Sequence, residues 1–333
     1  MADQPFQTRR LVTVFGGSGF VGRHLVRRLV KRGWRVRVAV RRPDLAQFLQ
    51  PQGVVGQIAA VQANLRDPAS VQAAVEGADA VVNLAAILSE RGRQTFEAVH
   101  AFGAAAIGKA CAAAAISDLV HVSAIGADAG SASSYARSKA AGEASVRAAV
   151  PGAVVMRPSV IFGPEDEFFN RFATLARALP VLPVPGAATR LQPVFVGDVA
   201  EAIARALEGG AKAGATYELG GPATMTMREV YAFTLKTIGR KRVLVDLPDG
   251  PARLVAGATE IADALTLGLM PRALATTRDQ MLLLKTDNVV SADAARDGRD
   301  LAGLGIAAEG CEAIVPTYLY RFRKTGQYER GFA

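Results

Sequence analysis

The run Gly16-Gly17-Ser18-Gly19-Phe20-Val21-Gly22 constrains this 333-residue chain more than any other feature. Its spacing is Gly-x-x-Gly-x-x-Gly. It joins the apolar segment Leu11–Phe15, which reads as a strand, to an amphipathic segment from about Gly19 to Arg32, which reads as a helix. Glycines so placed permit a tight turn and let the backbone come close to a pyrophosphate, which then rests on the N–H groups of the helix N-terminus. Gly16, Ser18, Gly19, Phe20, Val21 and Gly22 are therefore candidate dinucleotide-binding residues.

The rest of the chain agrees with such a start. Arg35–Val40 alternates Arg and Val, as a strand with one exposed face would, and further short apolar runs lie at Gln57–Val61, Ala80–Leu84, Leu119–Val122, Val154–Met156 and Thr216–Leu219. Helical patterns at Pro68–Glu76, Phe96–Ala115 and Ala136–Ala149 separate most of them. Strands alternating with helices predict an α/β fold: a Rossmann-type, doubly wound parallel sheet with right-handed crossovers. After Arg157 the rhythm loosens. The expected division is a dinucleotide-binding core over 1–163 and a smaller lobe over 164–333, interleaved with a last core strand within about 191–221, lying over the carboxyl edge of the sheet.

The end of the second strand bears on which dinucleotide is bound. An acidic residue there would take the ribose 2′-hydroxyl of NAD(H). This chain has Val40-Arg41-Arg42, and two guanidinium groups suit a 2′-phosphate, so NADP(H), most of all NADPH, is expected over NAD(H). Asp44, after a proline, reads as a helix cap.

A second constellation follows the fifth strand. Ser123 ends it, and Tyr135 and Lys139, four residues apart, share one face of the next helix. A lysine ammonium beside a phenol lowers its pKa, so Tyr135 could exchange a proton while Ser123 holds a substrate oxygen. Tyr-x-x-x-Lys alone is as easily an exposed helix pair; the serine and the glycine motif make the set specific.

Charge and composition bound the partners. The net charge is +9, and the stretch from Gln4 to Pro43 holds eleven Lys or Arg residues and no Asp or Glu. That block is equally a solvated helix face (Arg27, Arg28, Lys31, Arg32) or a docking surface for an acidic protein or an anionic membrane. Aromatics are not interleaved with it, so no nucleic-acid role is expected. Cys111 and Cys311 show no metal or disulfide spacing, and His24, His100 and His121 form no ligand set. The segment MADQPFQTRR has no signal-peptide run and no apolar stretch is long enough to span a bilayer, so a cytoplasmic or peripheral location is expected. The apolar stretch 253–275 could lie on a membrane or a partner, or pack as an ordinary helix.

Taken with these motifs, the chain resembles the extended short-chain dehydrogenase/reductase superfamily along almost its whole length. Arg157-Pro158-Ser159-Val160-Ile161-Phe162-Gly163-Pro164, Gln192-Pro193-Val194-Phe195-Val196-Gly197-Asp198-Val199-Ala200 and Tyr217-Glu218-Leu219-Gly220-Gly221-Pro222 match its later hallmarks. The resemblance implies that Pro158 and Val160 lie beside the nicotinamide, that Asn64 and Leu65 flank the adenine, and that Leu84, Ala85 and Ala86 line the cofactor cleft. It also implies that Tyr135 and Lys139 contact the cofactor as well as forming, with Ser123, the catalytic set.

A narrower likeness rests on Val99-His100-Ala101-Phe102-Gly103, on Thr277–Val290 and on the aromatic-basic tail Tyr318–Lys324. These resemble the NAD(P)-binding accessory subunits of respiratory complex I, in a bacterial form. That likeness implies firmly held NADPH, other complex I subunits as partners, a peripheral place on the cytoplasmic side of the inner membrane, and a structural or assembly role. One departure weakens turnover: His100 stands where active superfamily members carry an asparagine that helps place the lysine. An active NADP-dependent reductase, epimerase or dehydratase using Ser123, Tyr135 and Lys139 stays open beside it.

Overall fold

A computed structural model of the chain describes residues 10–248, 250, 257, 277–324 and 326. The apolar stretch at 253–275, apart from residue 257, and the first nine residues lie outside the described residues. Two compact units divide the chain. The first comprises the N-terminal part through Pro158, Val196–Leu219 and Ser291–Ala307; the second comprises Ser159–Phe195, Gly220–Val290 and the part from Ala308 on.

The first unit is built on a seven-stranded parallel sheet. Its strands are β1 (Leu11–Phe15), β2 (Arg35–Val40), β3 (Ile58–Gln62), β4 (Ala80–Asn83), β5 (Asp118–Val122), β6 (Val154–Pro158) and β11 (Thr216–Leu219), in the order β11-β6-β5-β4-β1-β2-β3. The order reverses between β1 and β4, the topological switch point where open sheets of this kind take ligands. The central strands are apolar on both faces because helices cover both, and Val12, Val14, Val81, Val82, Val155 and Met156 are fully buried.

Helix α1 (Phe20–Lys31) buries Gly22, Leu25, Val26, Leu29 and Val30, a stripe at helical spacing. Fully burying a leucine such as Leu25 or Leu29 contributes about 1.5–3 kcal/mol. On its opposite side Arg27 and Lys31 are exposed, but two other arginines are taken up by ion pairs. Arg28 and Arg32 reach Glu201 on α6 (Val196–Leu207), and Arg32 also pairs with Glu208. Part of the N-terminal positive charge, that of Arg28 and Arg32, is thus met inside this unit.

Strand β2 departs from the expected exposed face. Arg37 is half-buried, and its Nη1 donates to the carbonyls of Ala74 and Glu76, at 2.9 and 2.7 Å, at the end of α2 (Pro68–Val75). A cation there satisfies orphan carbonyls and complements the helix dipole. The helix expected at Phe96–Ala115 begins with a π-type turn, Glu97–Ala101, before α3 (Phe102–Ala113). Helix α4 (Ser134–Ala149) follows β5, capped by the Ser133 hydroxyl, which accepts from Ala136 N–H.

The second unit has short strands around an aromatic core. β7 (Ile161–Phe162) pairs in parallel with β10 (Val194–Phe195), and β9 (Arg190–Leu191) pairs antiparallel with β12 (Met225–Thr226). β8 (Val181–Pro185) and β13 (Val243–Leu247) pair in parallel although far apart in sequence, and α7 (Met227–Thr237) precedes β13. Phe162, Phe169, Phe172, Tyr231, Tyr318 and Phe322 form the core with helix α5 (Phe169–Ala178). No described helix is long and apolar enough to cross a membrane.

Candidate dinucleotide and active site

The β1–α1 turn is a cradle closed to side chains. Gly16 adopts φ +78°, and a Cβ there would meet the Leu84 and Ala85 backbone at 3.2 Å. A Cβ on Gly22 would lie 2.5 Å from the Gly16 and Gly17 backbone. Gly19 caps α1 without any side-chain hydrogen bond, and the first turn carries no acidic residue, which suits an anion at the leading N–H groups. These features fit a pyrophosphate held by Gly16–Gly22. Ser18, Phe20 and Val21 are half-buried in the same turn, and Leu84 and Ala85 stand against Gly16.

Arg41 and Arg42 follow β2 and are exposed. Asp44 does not cap a helix. The N-cap of the 3-10 segment Pro43–Gln52 is Arg42, and the Asp44 carboxylate instead accepts from Arg42 Nη2 at 2.8 Å. A proline at the first position needs no N–H partner, which leaves the carboxylate to the nearest cation. That bond, first of all, holds the Asp44 carboxyl below the usual carboxylate range. Arg41 is thus the better placed of the two for an added anion. Asn64 forms a turn in which its N–H donates to Ser70 Oγ and its Oδ1 accepts from Arg66 N–H, while Leu65 packs on the core against Gly103.

Ser123, Tyr135 and Lys139 lie where β5 meets α4. The buried Ser123 Oγ has no hydrogen-bond partner among the described residues. An orphan buried hydroxyl costs about 1–3 kcal/mol unless something meets it, which fits a ligand oxygen. Lys139 is 2% exposed, and its Nζ donates to the Val122 carbonyl at 3.0 Å. Burial lowers its pKa to about 8, against a smaller opposing pull from Glu143. The expected depression of the tyrosine pKa does not occur in the chain alone. Tyr135 is half-buried as a residue, but burial around its phenol pushes the pKa up to about 12. The ammonium spends itself on a backbone carbonyl, so desolvation wins at the phenol.

His100 emerges from the π-type turn as a fully satisfied buried side chain. Its Nε2 accepts from Ile87 N–H at 3.0 Å, and its Nδ1 meets Ser138 Oγ at 2.9 Å. The ring stacks on Phe96 and stands edge-on to Tyr135, with centroids 5.5 and 5.3 Å apart. Burial, with Lys139 nearby, lowers its pKa to about 3, so it is neutral. Ser138, Asn83 and His121 escape sequence reading. Asn83 Nδ2 donates to His121 Nδ1 at 3.0 Å while Asn83 Oδ1 accepts from Ala85 N–H at 3.0 Å, fixing the strand end next to the glycine turn. A buried asparagine at a strand end was the available signal.

Pro158 ends β6 in the first unit, whereas Val160 belongs to the second. There, Ser159 Oγ donates within a contact to Asn288, whose carbonyl and Oδ1 lie at 2.8 and 2.6 Å. Asp287 accepts from Arg190 N–H and Nε, both at 2.8 Å, and Gln192 Oε1 accepts from Val290 N–H at 2.9 Å. The Thr277–Val290 stretch, opened by the capped helix α8 (Arg278–Leu283), is therefore woven into the strand ends that follow β6. Among the described residues no group of His, Cys, Asp and Glu could hold a metal ion.

Sheet order, glycine cradle and the Ser-Tyr-Lys set together define a Rossmann-type NAD(P)-binding protein. The chain belongs to the NAD dependent epimerase/dehydratase family, whose profile matches residues 12–220. It is 32% identical over 320 residues to the mitochondrial NADH dehydrogenase [ubiquinone] 1 alpha subcomplex subunit 9 of Arabidopsis thaliana, covering 95% of this chain and 79% of that one. It is 35% identical over 254 residues to the ceramide reductase of Caulobacter vibrioides, covering 75% and 77%. The fold also matches the NADPH-dependent quinone oxidoreductase QOR2 of Escherichia coli, with TM-score 0.69 and 20% identity over 93% of this chain and 99% of that one.

Proposed function

We propose that this chain is an NADP(H)-holding subunit of respiratory complex I, with a structural or assembly role and little or no turnover. The observation that carries this reading is the Thr277–Val290 stretch. It bears the narrower resemblance, it is bonded into the strand ends through Asn288 and Asp287, and the likeness to the alpha subcomplex subunit runs through nearly the whole chain. A phenol that burial raises to about 12 is a poor proton acceptor at neutral pH while no cofactor lies beside it, which is in keeping with that role. The glycines would hold the pyrophosphate, Arg41 the 2′-phosphate, and Leu84, Ala85, Ala86, Asn64 and Leu65 the adenosine half. The protein sits peripherally on the cytoplasmic side of a bacterial inner membrane, against other complex I subunits, with its remaining basic surface available to anionic lipid.

A second reading is favoured by the orphan Ser123 hydroxyl beside an intact Tyr135 and Lys139. In an active reductase a bound nicotinamide would supply or accept the hydride. Ser123 would hold the substrate oxygen, Tyr135 exchange the proton and Lys139 secure the ribose. Two variants separate the readings. Under the structural role, Gly19→Val depletes the assembled membrane complex while Tyr135→Phe leaves it and cell growth unchanged. Loss of function in Tyr135→Phe with intact assembly would establish the enzyme instead.

A further inference from the structure

The His100 imidazole bridges two pieces of the first unit: the segment after β4 and the helix that carries Tyr135 and Lys139. On one side its Nε2 takes the Ile87 N–H; on the other its Nδ1 lies at 2.9 Å from Ser138 Oγ. Ser138 Oγ in turn donates to the Tyr135 carbonyl at 2.7 Å. These partners fix the proton. A backbone N–H can only donate, so Nε2 is the acceptor and Nδ1 carries the hydrogen; Ser138 accepts it and passes its own on to Tyr135. We propose that His100, as the neutral Nδ1–H tautomer, is a positioning residue that locks Ile87, next to the segment Leu84–Ala86, to the Tyr135 helix through Ser138.

The chemistry demands a histidine-like side chain. It must accept at one end and donate at the other, about a ring's width apart, and must also be flat enough to stack on Phe96 and meet the Tyr135 ring edge-on. An imidazolium would turn a donor toward the Ile87 N–H, which burial and Lys139 prevent. The backbone is set for the same purpose. The π-type turn Glu97–Ala101 contains His100, and Gly142 on α4 lies so close to the His100 carbonyl oxygen that a Cβ would overlap it. The helix and the turn therefore meet with no room to slide. Sub-ångström placement of Tyr135 and Lys139 against the 84–87 segment depends on this lock.

The inference rests on the dinucleotide reading only for its effect on NADPH; the tautomer and the lock are read without nucleotide. In the purified chain, the ¹⁵N shifts of His100 should be those of Nδ1–H, and Ile87 amide exchange should be slow. His100→Phe should speed that exchange and weaken NADPH binding about tenfold by calorimetry. His100→Asn, which keeps one acceptor and one donor, should recover part of both. Ser138→Ala should weaken NADPH as well, and should add little in the His100→Phe background, because the two act as one connection. An Nε2–H or charged His100 overturns the proposal, as does additivity of the two substitutions or wild-type NADPH affinity in His100→Phe. Should His100→Phe fail to fold, the tautomer, His100→Asn and Ser138→Ala decide the matter alone. A wild-type chain that shows the tautomer and the slow Ile87 amide but does not bind NADPH would sink the cofactor preference and leave the lock standing.

Discussion

Arg32 closes on Glu201: its Nη2 donates to both carboxylate oxygens, at 2.6 and 2.7 Å, across the α1–α6 contact. Arg28 and Arg205 bond the same carboxylate, so three guanidinium groups converge on one buried acid. Burial opposes the ion, but Arg205, Arg32 and Arg28 outweigh it and hold the Glu201 pKa below its ordinary value. Glu201→Gln should lower stability by about 1–2 kcal/mol, because it removes the negative charge that three partly exposed guanidinium groups share, while Arg32 keeps Glu208 and Arg205 keeps the Leu304 and Gly305 carbonyls. The check is a lower urea midpoint with an unchanged slope. The sign with pH follows from the depressed folded pKa. The contribution is present above the unfolded value and is lost as pH falls through the folded one, so the gap between wild type and Glu201→Gln should narrow in acid.

Lys139 should be a residue that costs stability. Its folded pKa, lowered to about 8, lies beneath the unfolded value, so its favourable contribution exists at high pH and is lost as pH falls through about 8. At pH 7 the buried ammonium is a net cost, and Lys139→Met should stabilise the chain by something on the order of 2 kcal/mol while weakening nucleotide binding. Thermal denaturation at pH 7 and pH 10 reads this, and the stabilisation should shrink at the higher pH.

The 2′-phosphate preference should rest on Arg41 more than on Arg42, because Arg42 Nη2 is already bound to Asp44. Arg41→Ala should weaken NADPH about tenfold and leave NADH unchanged. Arg42→Ala should do less, and Asp44→Ala should tighten NADPH by releasing Arg42. Paired titrations with NADPH and NADH measure all three.

Much of this was legible in the residues and some was not. The glycine turn, the strand runs and the Tyr135–Lys139 spacing depend on local pattern, and the structure places them as the pattern predicts. The expectations for Arg37 and Asp44 fail because their partners are chosen in three dimensions: a helix end reached from β2, and the Arg42 guanidinium. The direction of the Tyr135 pKa was illegible for a related reason. Spacing puts Lys139 on the same helix face, but burial and the Val122 carbonyl decide where its charge goes.

Asp166 shows another limit of local reading. It is 3% exposed and accepts at Oδ2 from Gly163 N–H and the Tyr318 hydroxyl, at 3.1 and 2.7 Å, and at Oδ1 from Phe168 and Asn170 N–H. The aromatic-basic tail therefore holds the turn after β7 from within the second unit. Tyr318→Phe should cost about 1–3 kcal/mol by removing one donor from a buried carboxylate, read as a fall in the denaturation midpoint.

The most direct test of the complex I reading is purification of a tagged chain from its native membranes in mild detergent, followed by mass spectrometry of the co-purifying proteins and chromatography of the released nucleotide. Complex I subunits together with about one NADPH per chain are the predicted result. A chain that comes away without those subunits, carrying nucleotide that exchanges freely, would contradict it and leave an ordinary reductase.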